Sequence, residues 1–206
     1  MEITDEMERL GFMEGTISEC IVTTYNEDGS PNAAPMGILR EGKFVVMKIH
    51  TFSDTYRNLL REKACILNIL FDSVLFLKSA IMGQGKGERE LEVGLEEVRN
   101  AEHVKAPYIT NANAYIELLL SSHKELEKRD RYGRARISLV KCEIKSINVI
   151  KKHPVVINRG LYAAIELAIL LSRGERKEAR RYLEIMQKTL DKGEYNRIEK
   201  LLEGRL

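Results

Sequence analysis

The stretch Asn26-Glu27-Asp28-Gly29-Ser30 constrains this chain most strongly. It lies between two alternating segments. Before it, Cys20, Val22 and Thr24 alternate with Ile21, Thr23 and Tyr25. After it, Pro31 to Leu39 returns as a second candidate strand. Asp-Gly supplies the positive φ angles that a tight hairpin requires, so the two segments pair antiparallel. A second turn at Arg40-Glu41-Gly42-Lys43 leads into Phe44 to Ile49, and the three strands form a meander. Pro31 and Pro35 cannot donate ladder hydrogen bonds, so part of the second strand is expected at an edge or a bulge.

The period then changes repeatedly. Ser53 or Asp54 can cap a short helix, with Tyr56, Leu59 and Leu60 as its apolar stripe. Ala64 to Phe71 reads as a buried strand, and Asp72-Ser73 caps a helix over Val74 to Met82. The run Gly83-Gln84-Gly85-Lys86-Gly87 reads as a loop, since it matches no phosphate-binding glycine motif. Glu92 to Val104 is read as helical, Asn113 to Leu120 as a strand, and Ser121 to Asp130 as a polar loop. Arg134 to Ile150 reads as one long strand whose alternation slips twice, as bulges or a barrel corner would cause. From residue 158 only the helical period remains. Leu161, Ile165 and Ala168 mark one helix, Ala179 to Leu190 a second ended by Gly193, and Tyr195 to Leu202 a third, with Gly174 as the first joint. The expected organisation is a barrel domain over 1–157 and a helical subdomain over 158–206.

Composition narrows the function classes. Lys and Arg total 33 against 31 for Asp and Glu, a net charge of +2, which gives no basic stripe for nucleic acid and no polybasic membrane patch. No apolar run approaches a membrane span, and Met1 to Cys20 is acidic without a leader-like apolar core. Cys20, Cys65 and Cys142 are far apart and form no CxxC pair, and the four histidines have no HxxxH spacing, so no metal site is expected. Unpaired cysteines suit a reducing, cytoplasmic setting. The bias of 25 Glu to 6 Asp with 2 Gln fits either a chain from a hot environment or ordinary solvated helix faces.

Two segments carry candidate chemistry. Around Lys48 to Asn58, a helix start offers free N–H groups beside Thr51, Ser53, Thr55, Lys48 and Arg57, which suits a phosphate; an ordinary capped helix has the same residues. Asp54 would compete with an anion there. In Asn32-Ala33-Ala34-Pro35-Met36-Gly37, small side chains would let a flat ligand approach the backbone; a bulged edge strand reads the same way. The carboxylates Glu117 and Glu143 have no pairing that sequence establishes. The basic run Lys124 to Arg136 is read as a solvated loop.

Taken together, Glu19 to Thr24, Asp28 to Gly37, Ser53 to Leu59, Asn111 to Glu117 and Asn158 to Glu166 resemble the FMN-binding split-barrel superfamily. Its members include flavin reductase-like and pyridoxamine-phosphate oxidase-like proteins, and more narrowly the chain looks like an archaeal group of uncharacterised flavoproteins. The resemblance implies an α+β fold: a six-stranded antiparallel split β-barrel with a C-terminal helical appendage. It implies FMN as cofactor, with Pro35, Met36, Gly37 and Ile38 along the ring. It places Lys48, Thr51, Ser53, Thr55 and Asn58 on the phosphate. It implies a homodimer with flavin at the subunit interface, to which Asn111, Asn113, Asn158 and Arg159 could contribute. The related oxidases carry Ser-Arg-Lys where this chain has Ser53-Asp54-Thr55, which shifts the cationic role to Lys48 or Arg57. The expected function is that of an FMN-dependent oxidoreductase of unknown substrate, or of a non-catalytic flavin carrier or sensor whose tail contacts a protein. No catalytic residue is assigned.

Overall fold

A computed structural model describes residues 2–15, 17–82, 91–130, 133–151, 159–190 and 192–205, with the side chains of 128–130 and 133 outside that description. The chain divides into two compact units, one of residues 1–70 and 93–152, the other of 71–92 and 153–206.

The first unit begins with helix α1, Ile3–Arg9. The expected meander follows as β1 (Ile17–Tyr25), β2 (Pro31–Glu41) and β3 (Phe44–His50). Gly29 has φ +81°, as its turn demands. Helix α2 (Asp54–Glu62) and strand β4 (Ala64–Ile69) come next. After the excursion into the second unit, the chain forms β5 (Val98–Asn100), β6 (Pro107–Ile109), β7 (Ala114–Asp130) and β8 (Gly133–Val149). Six strands close an antiparallel barrel in the order β1-β2-β3-β8-β7-β4, while β5 and β6 pair only with each other. The α+β split-barrel expectation is met.

Alternation fills the barrel. Cys20, Val22, Ile38, Met47, Leu67, Val140 and Cys142 point inward, and Tyr56 and Leu59 of α2 join the same core with Met7 of α1. At about 25 cal/mol per Å² of apolar surface removed from water, this cluster is the main stabilising contribution of the unit.

Several readings of the barrel unit change. The residues read as helix over Glu92 to Val104 form a short 3-10 turn, Leu95–Glu97, and then β5. Local propensity yields to burial here, because Val98 and Val104 are covered and Ala106 packs with Ala64 and Ile66 on the outside of the barrel. The run read as a polar loop, Ser121 to Asp130, continues β7, in register with β8 from Ser122↔Lys141 to Asp130↔Gly133. Its polarity reflects exposure of Ser121 to Glu127, not a lack of backbone partners. One expected bulge falls at Lys145, skipped between Ser146 and Ile144; the other lies in β7, where Ser121 is skipped.

The β5–β6 hairpin is pinned by polar groups on the outer barrel face. Asn68 Nδ2 donates to Ile21 O at 3.0 Å and Thr23 Oγ1 at 2.9 Å, and Asn68 Oδ1 accepts from Ile109 N at 2.8 Å. The Thr23 hydroxyl donates to Pro107 O. Glu117 is fully buried and accepts from His103 N at 2.7 Å, His103 Nδ1 at 3.1 Å and Asn148 Nδ2 at 3.3 Å. Lys105 Nζ meets Glu62 Oε2 at 2.8 Å.

The hydrogen bond that His103 donates to Glu117, aided by the carboxylate's charge, raises the exposed imidazole above its ordinary pKa. A raised histidine stabilises the folded state fully below the unfolded value of about 6.5, and that contribution is lost as pH rises through the folded value. The melting temperature of the protein should therefore fall across that window by more than that of His103→Gln. Superimposable melting-versus-pH curves for the two proteins would contradict a stabilising His103–Glu117 pair.

The second unit is helical: α3 (Ser73–Ile81), α4 (Arg159–Ser172), α5 (Ala179–Thr189) and α6 (Lys192–Leu202). Leu77 and Ala80 of α3 share one core with Ala164, Leu167, Met186 and Ile198. Gly193 lies in the first turn of α6 and does not end α5, which stops where Leu190 turns extended. Leu190 packs at the start of α4, where a Cβ on Gly160 would come within 2.5 Å of it. Among the described residues, no helix is long and apolar enough to cross a membrane, and no group of His, Cys, Asp and Glu is arranged to hold a metal.

Candidate functional site

The site begins where a ladder stops. β2 pairs with β1 along Pro31 to Leu39, but with β3 only from Ile38↔Met47 to Glu41↔Phe44. Residues 31–37 of β2 have no strand partner on that side among the described residues. β3 continues past the parting as Lys48, Ile49 and His50, paired on its far side with β8. Helix α2 starts directly after β3.

Alternation sorts the expected residues into two groups. Ile38 and Met47 point into the core, so Gly37 and Lys48 point outward. Pro35 and His50 share that outward parity. Lys48 and His50 are exposed, and the Lys48 side chain has no hydrogen bond or ion pair among the described residues. Gly37 is exposed, and a Cβ there would meet only Ile17 Cγ2 at 3.2 Å and the Glu19 carboxylate at 3.4 Å. Met36 is partly buried against the core and Ile38 lies within it.

The turn into α2 is tightly bonded. Thr51 N–H donates to Arg136 O at 3.1 Å, and its hydroxyl lies 3.4 Å from the same oxygen. Ser53 Oγ donates to His50 O at 2.8 Å and accepts from Tyr56 N at 3.2 Å. The single Ser53 proton is therefore committed to the turn, and its oxygen caps the helix. Arg57 pairs with Asp54 and donates to Phe52 O at 2.8 Å, so the Asp54 carboxylate is compensated locally. Phe52 is 67% exposed and lies 5.2 Å from the His50 ring. The Thr55 N–H belongs to the first helical turn, whose amides have no intrahelical acceptor.

Thr55 and Asn58 face the other way. Asn32 Nδ2 donates to Thr55 Oγ1 at 3.1 Å and Thr24 Oγ1 at 3.2 Å. Asn58 Nδ2 donates to Asn26 Oδ1 at 2.8 Å and Thr24 Oγ1 at 3.1 Å. This buried network ties α2 to the first hairpin. Sequence reading missed Thr24, Asn26 and Asn32 as its members; their signal was polar residues at strand positions that alternation buries.

Of the residues considered as contributions from a partner, Asn111 accepts Lys151 Nζ at 2.8 Å through both Oδ1 and its carbonyl, and Asn113 bonds Ile69 and Ile150 through its backbone. Arg159 opens α4 in the second unit. Asn158 and the Gly83–Gly87 run lie outside the described residues. Glu143, beside Lys43 and Lys145, is a surface ion pair; hydrogen bonds from Lys145 and then Lys43 lower its pKa.

Residues 18–151, the barrel strands with α2 and the excursion between them, match the family described as "Protein of unknown function (DUF447) N-terminal domain". The chain belongs to the DUF447 family. A relative, the uncharacterized protein MJ1453 of Methanocaldococcus jannaschii, is 26% identical over 158 residues, 76% of this chain and 74% of its own. Among solved structures, the FMN-bound DUF447 protein MM1853 of Methanosarcina mazei superposes with a TM-score of 0.72 at 24% identity, covering 97% of this chain and 100% of that one. Nitrilotriacetate monooxygenase component B of Bacillus cereus gives a TM-score of 0.53 at 16% identity over 75% of this chain and 80% of its own. These likenesses show the fold alone: the barrel of this chain is a split barrel.

Proposed function

We propose that this DUF447 protein binds FMN where β2 and β3 part, and that it works as a flavin-dependent oxidoreductase. The observation that carries the reading is Lys48: an exposed cation whose side chain has no partner among the described residues, at the end of the ladder and beside the start of α2. A phosphate there would meet the Lys48 ammonium, the Thr51 hydroxyl and the Thr55 N–H, a combination of charge and helix-end amides that suits an anion. Ser53, Thr55 and Asn58 serve the same site by shaping and anchoring the helix start. The outward strip at Pro35 and Gly37 supplies backbone for a flat ring. The FMN named for the Methanosarcina mazei protein of the same family supports the reading.

FMN, when bound, supplies the redox chemistry; the chain binds and orients it. A ring lying on this strip has its other face uncovered by the strand. A homodimer that covers that face is the arrangement we propose. Three buried free cysteines fit a reducing, cytoplasmic setting.

Anaerobic titration of the FMN-loaded protein with NADH, NADPH and a photoreduced deazaflavin tests the enzyme reading. Bleaching of the visible flavin band by a nicotinamide donor is the expected result. Reduction by deazaflavin alone would contradict a nicotinamide-driven oxidoreductase and favour a carrier.

A further inference from the structure

The inner side of α2 makes a second polar contact, with the part of β7 that runs beyond β4. The Tyr56 hydroxyl donates to Glu125 Oε1 at 2.9 Å and lies 3.1 Å from His123 Nδ1. The imidazole stands edge-on to the phenol, with centroids 6.1 Å apart and planes at 74°. His123 and Glu125 are two residues apart on β7 and so share a face. The ladder sets them opposite Val140 and Ser138, both fully buried. Ser138 is on the same face, its hydroxyl toward the Tyr56 phenol. Glu127 of β7 and Arg136 of β8 are the next charged residues on it.

Counting protons fixes the arrangement. A phenol has one proton, and an ionised carboxylate only accepts. Burial, with Glu125 adding to it and Ser138 opposing it, pushes the Tyr56 phenol above its ordinary pKa, so it keeps that proton at neutral pH. The proton goes to Glu125. The contact between His123 Nδ1 and the Tyr56 oxygen is then a hydrogen bond only if Nδ1 carries a hydrogen and donates it. In the neutral ring this leaves the lone pair on Nε2.

We propose that Tyr56 and Glu125 hold His123 as the Nδ1–H tautomer, and that His123 Nε2 is a proton-accepting site for an acidic O–H or N–H of a ligand seated beside the start of α2. The Thr51 N–H bond to Arg136 O brings that helix start to the same stretch of β8. In the transfer, the ligand's O–H or N–H bond breaks and Nε2–H forms. The imidazolium charge is balanced by the Glu125 carboxylate across the phenol. Tyr56 and Glu125 are positioning residues here, and the inference does not rest on the flavin reading.

The tautomer is read directly from ring nitrogen and carbon shifts of histidine-labelled protein by NMR, without added flavin. The wild type should show Nδ1–H at His123. Glu125→Gln keeps an acceptor for the phenol and should keep the tautomer. Glu125→Ala, on the exposed strand, and Tyr56→Phe should release it to the mixture of an unpartnered imidazole. Diethyl pyrocarbonate, which acylates unprotonated imidazole nitrogen, should modify His123 at Nε2 several-fold faster in the wild type than in Glu125→Ala, with His103 as internal reference. A wild-type Nε2–H tautomer would overturn the proposal. So would a tautomer and an acylation rate that are the same in all the variants, even if they melt at lower temperature.

Discussion

Lys48→Gln should weaken FMN binding by about 10- to 150-fold while leaving riboflavin binding within about twofold. The first range is the loss of one charge-assisted hydrogen bond, ~1.5–3 kcal/mol, converted to affinity. The second follows because riboflavin has no phosphate to lose a contact. Lys48 is suited to this test because it is exposed and its side chain makes no bond among the described residues, so its removal leaves the barrel intact. Arg57 is a poorer probe, since it holds both Asp54 and the Phe52 carbonyl. The wild-type preference for FMN should also shrink as salt is added, because an exposed ammonium is screened over a Debye length of about 10 Å at 0.1 M. Isothermal titration of both flavins checks this. Equal losses for FMN and riboflavin would place the phosphate elsewhere.

Asn68→Ala should lower stability by about 3–5 kcal/mol, the largest single effect expected from a polar residue here. Asn68 is fully buried and makes three hydrogen bonds, two to β1 and one from Ile109 of β6. Each lost bond costs about 1 kcal/mol, and each buried group left without a partner costs about 1–3 kcal/mol more. The damage should be local to the β5–β6 hairpin before it is global. Amide exchange at Ile109, whose N–H loses its acceptor, should speed up more than exchange in β3. Uniform acceleration across the barrel would contradict a pin confined to the hairpin.

Much of the barrel was legible in the sequence because its strands alternate and its turns are chemically marked. Asp28-Gly29 and Gly42 announced the meander, and Ser53 and Asp72 announced two helix starts. What escaped was structure defined by distant partners. Ser121 to Asp130 looked like a loop because it is almost wholly polar, yet β8 supplies a backbone partner from Ser122 to Asp130. Val98 lies in a strand because it buries itself with its hairpin partner Ile109, and no local pattern states that. Helix α3 was recognised, but its sharing of a core with α4 to α6 follows from contacts made across some eighty residues of chain.

The candidate site was legible as a region and less so as a set of roles. The segments around Pro35 to Ile38 and Lys48 to Asn58 do come together at one feature, the parting of β2 from β3. Their individual duties depend on side-chain direction. Thr55 and Asn58 look like ligand-facing polar residues in a list. On α2 they turn inward to Asn32, Thr24 and Asn26. Ser53 has the right chemistry for an anion, but its proton is held by the His50 carbonyl. Tyr56 was read only as part of an apolar stripe, because its partners His123 and Glu125 lie almost seventy residues away.

The most direct test of the account is a titration of the purified, flavin-free wild-type protein with FMN and, separately, with riboflavin, followed by the quenching of flavin fluorescence. The account predicts saturable binding of FMN, tighter than that of riboflavin by at least about the tenfold carried by one charge-assisted contact. Equal affinity for the two flavins, or no saturable binding of FMN, would contradict it.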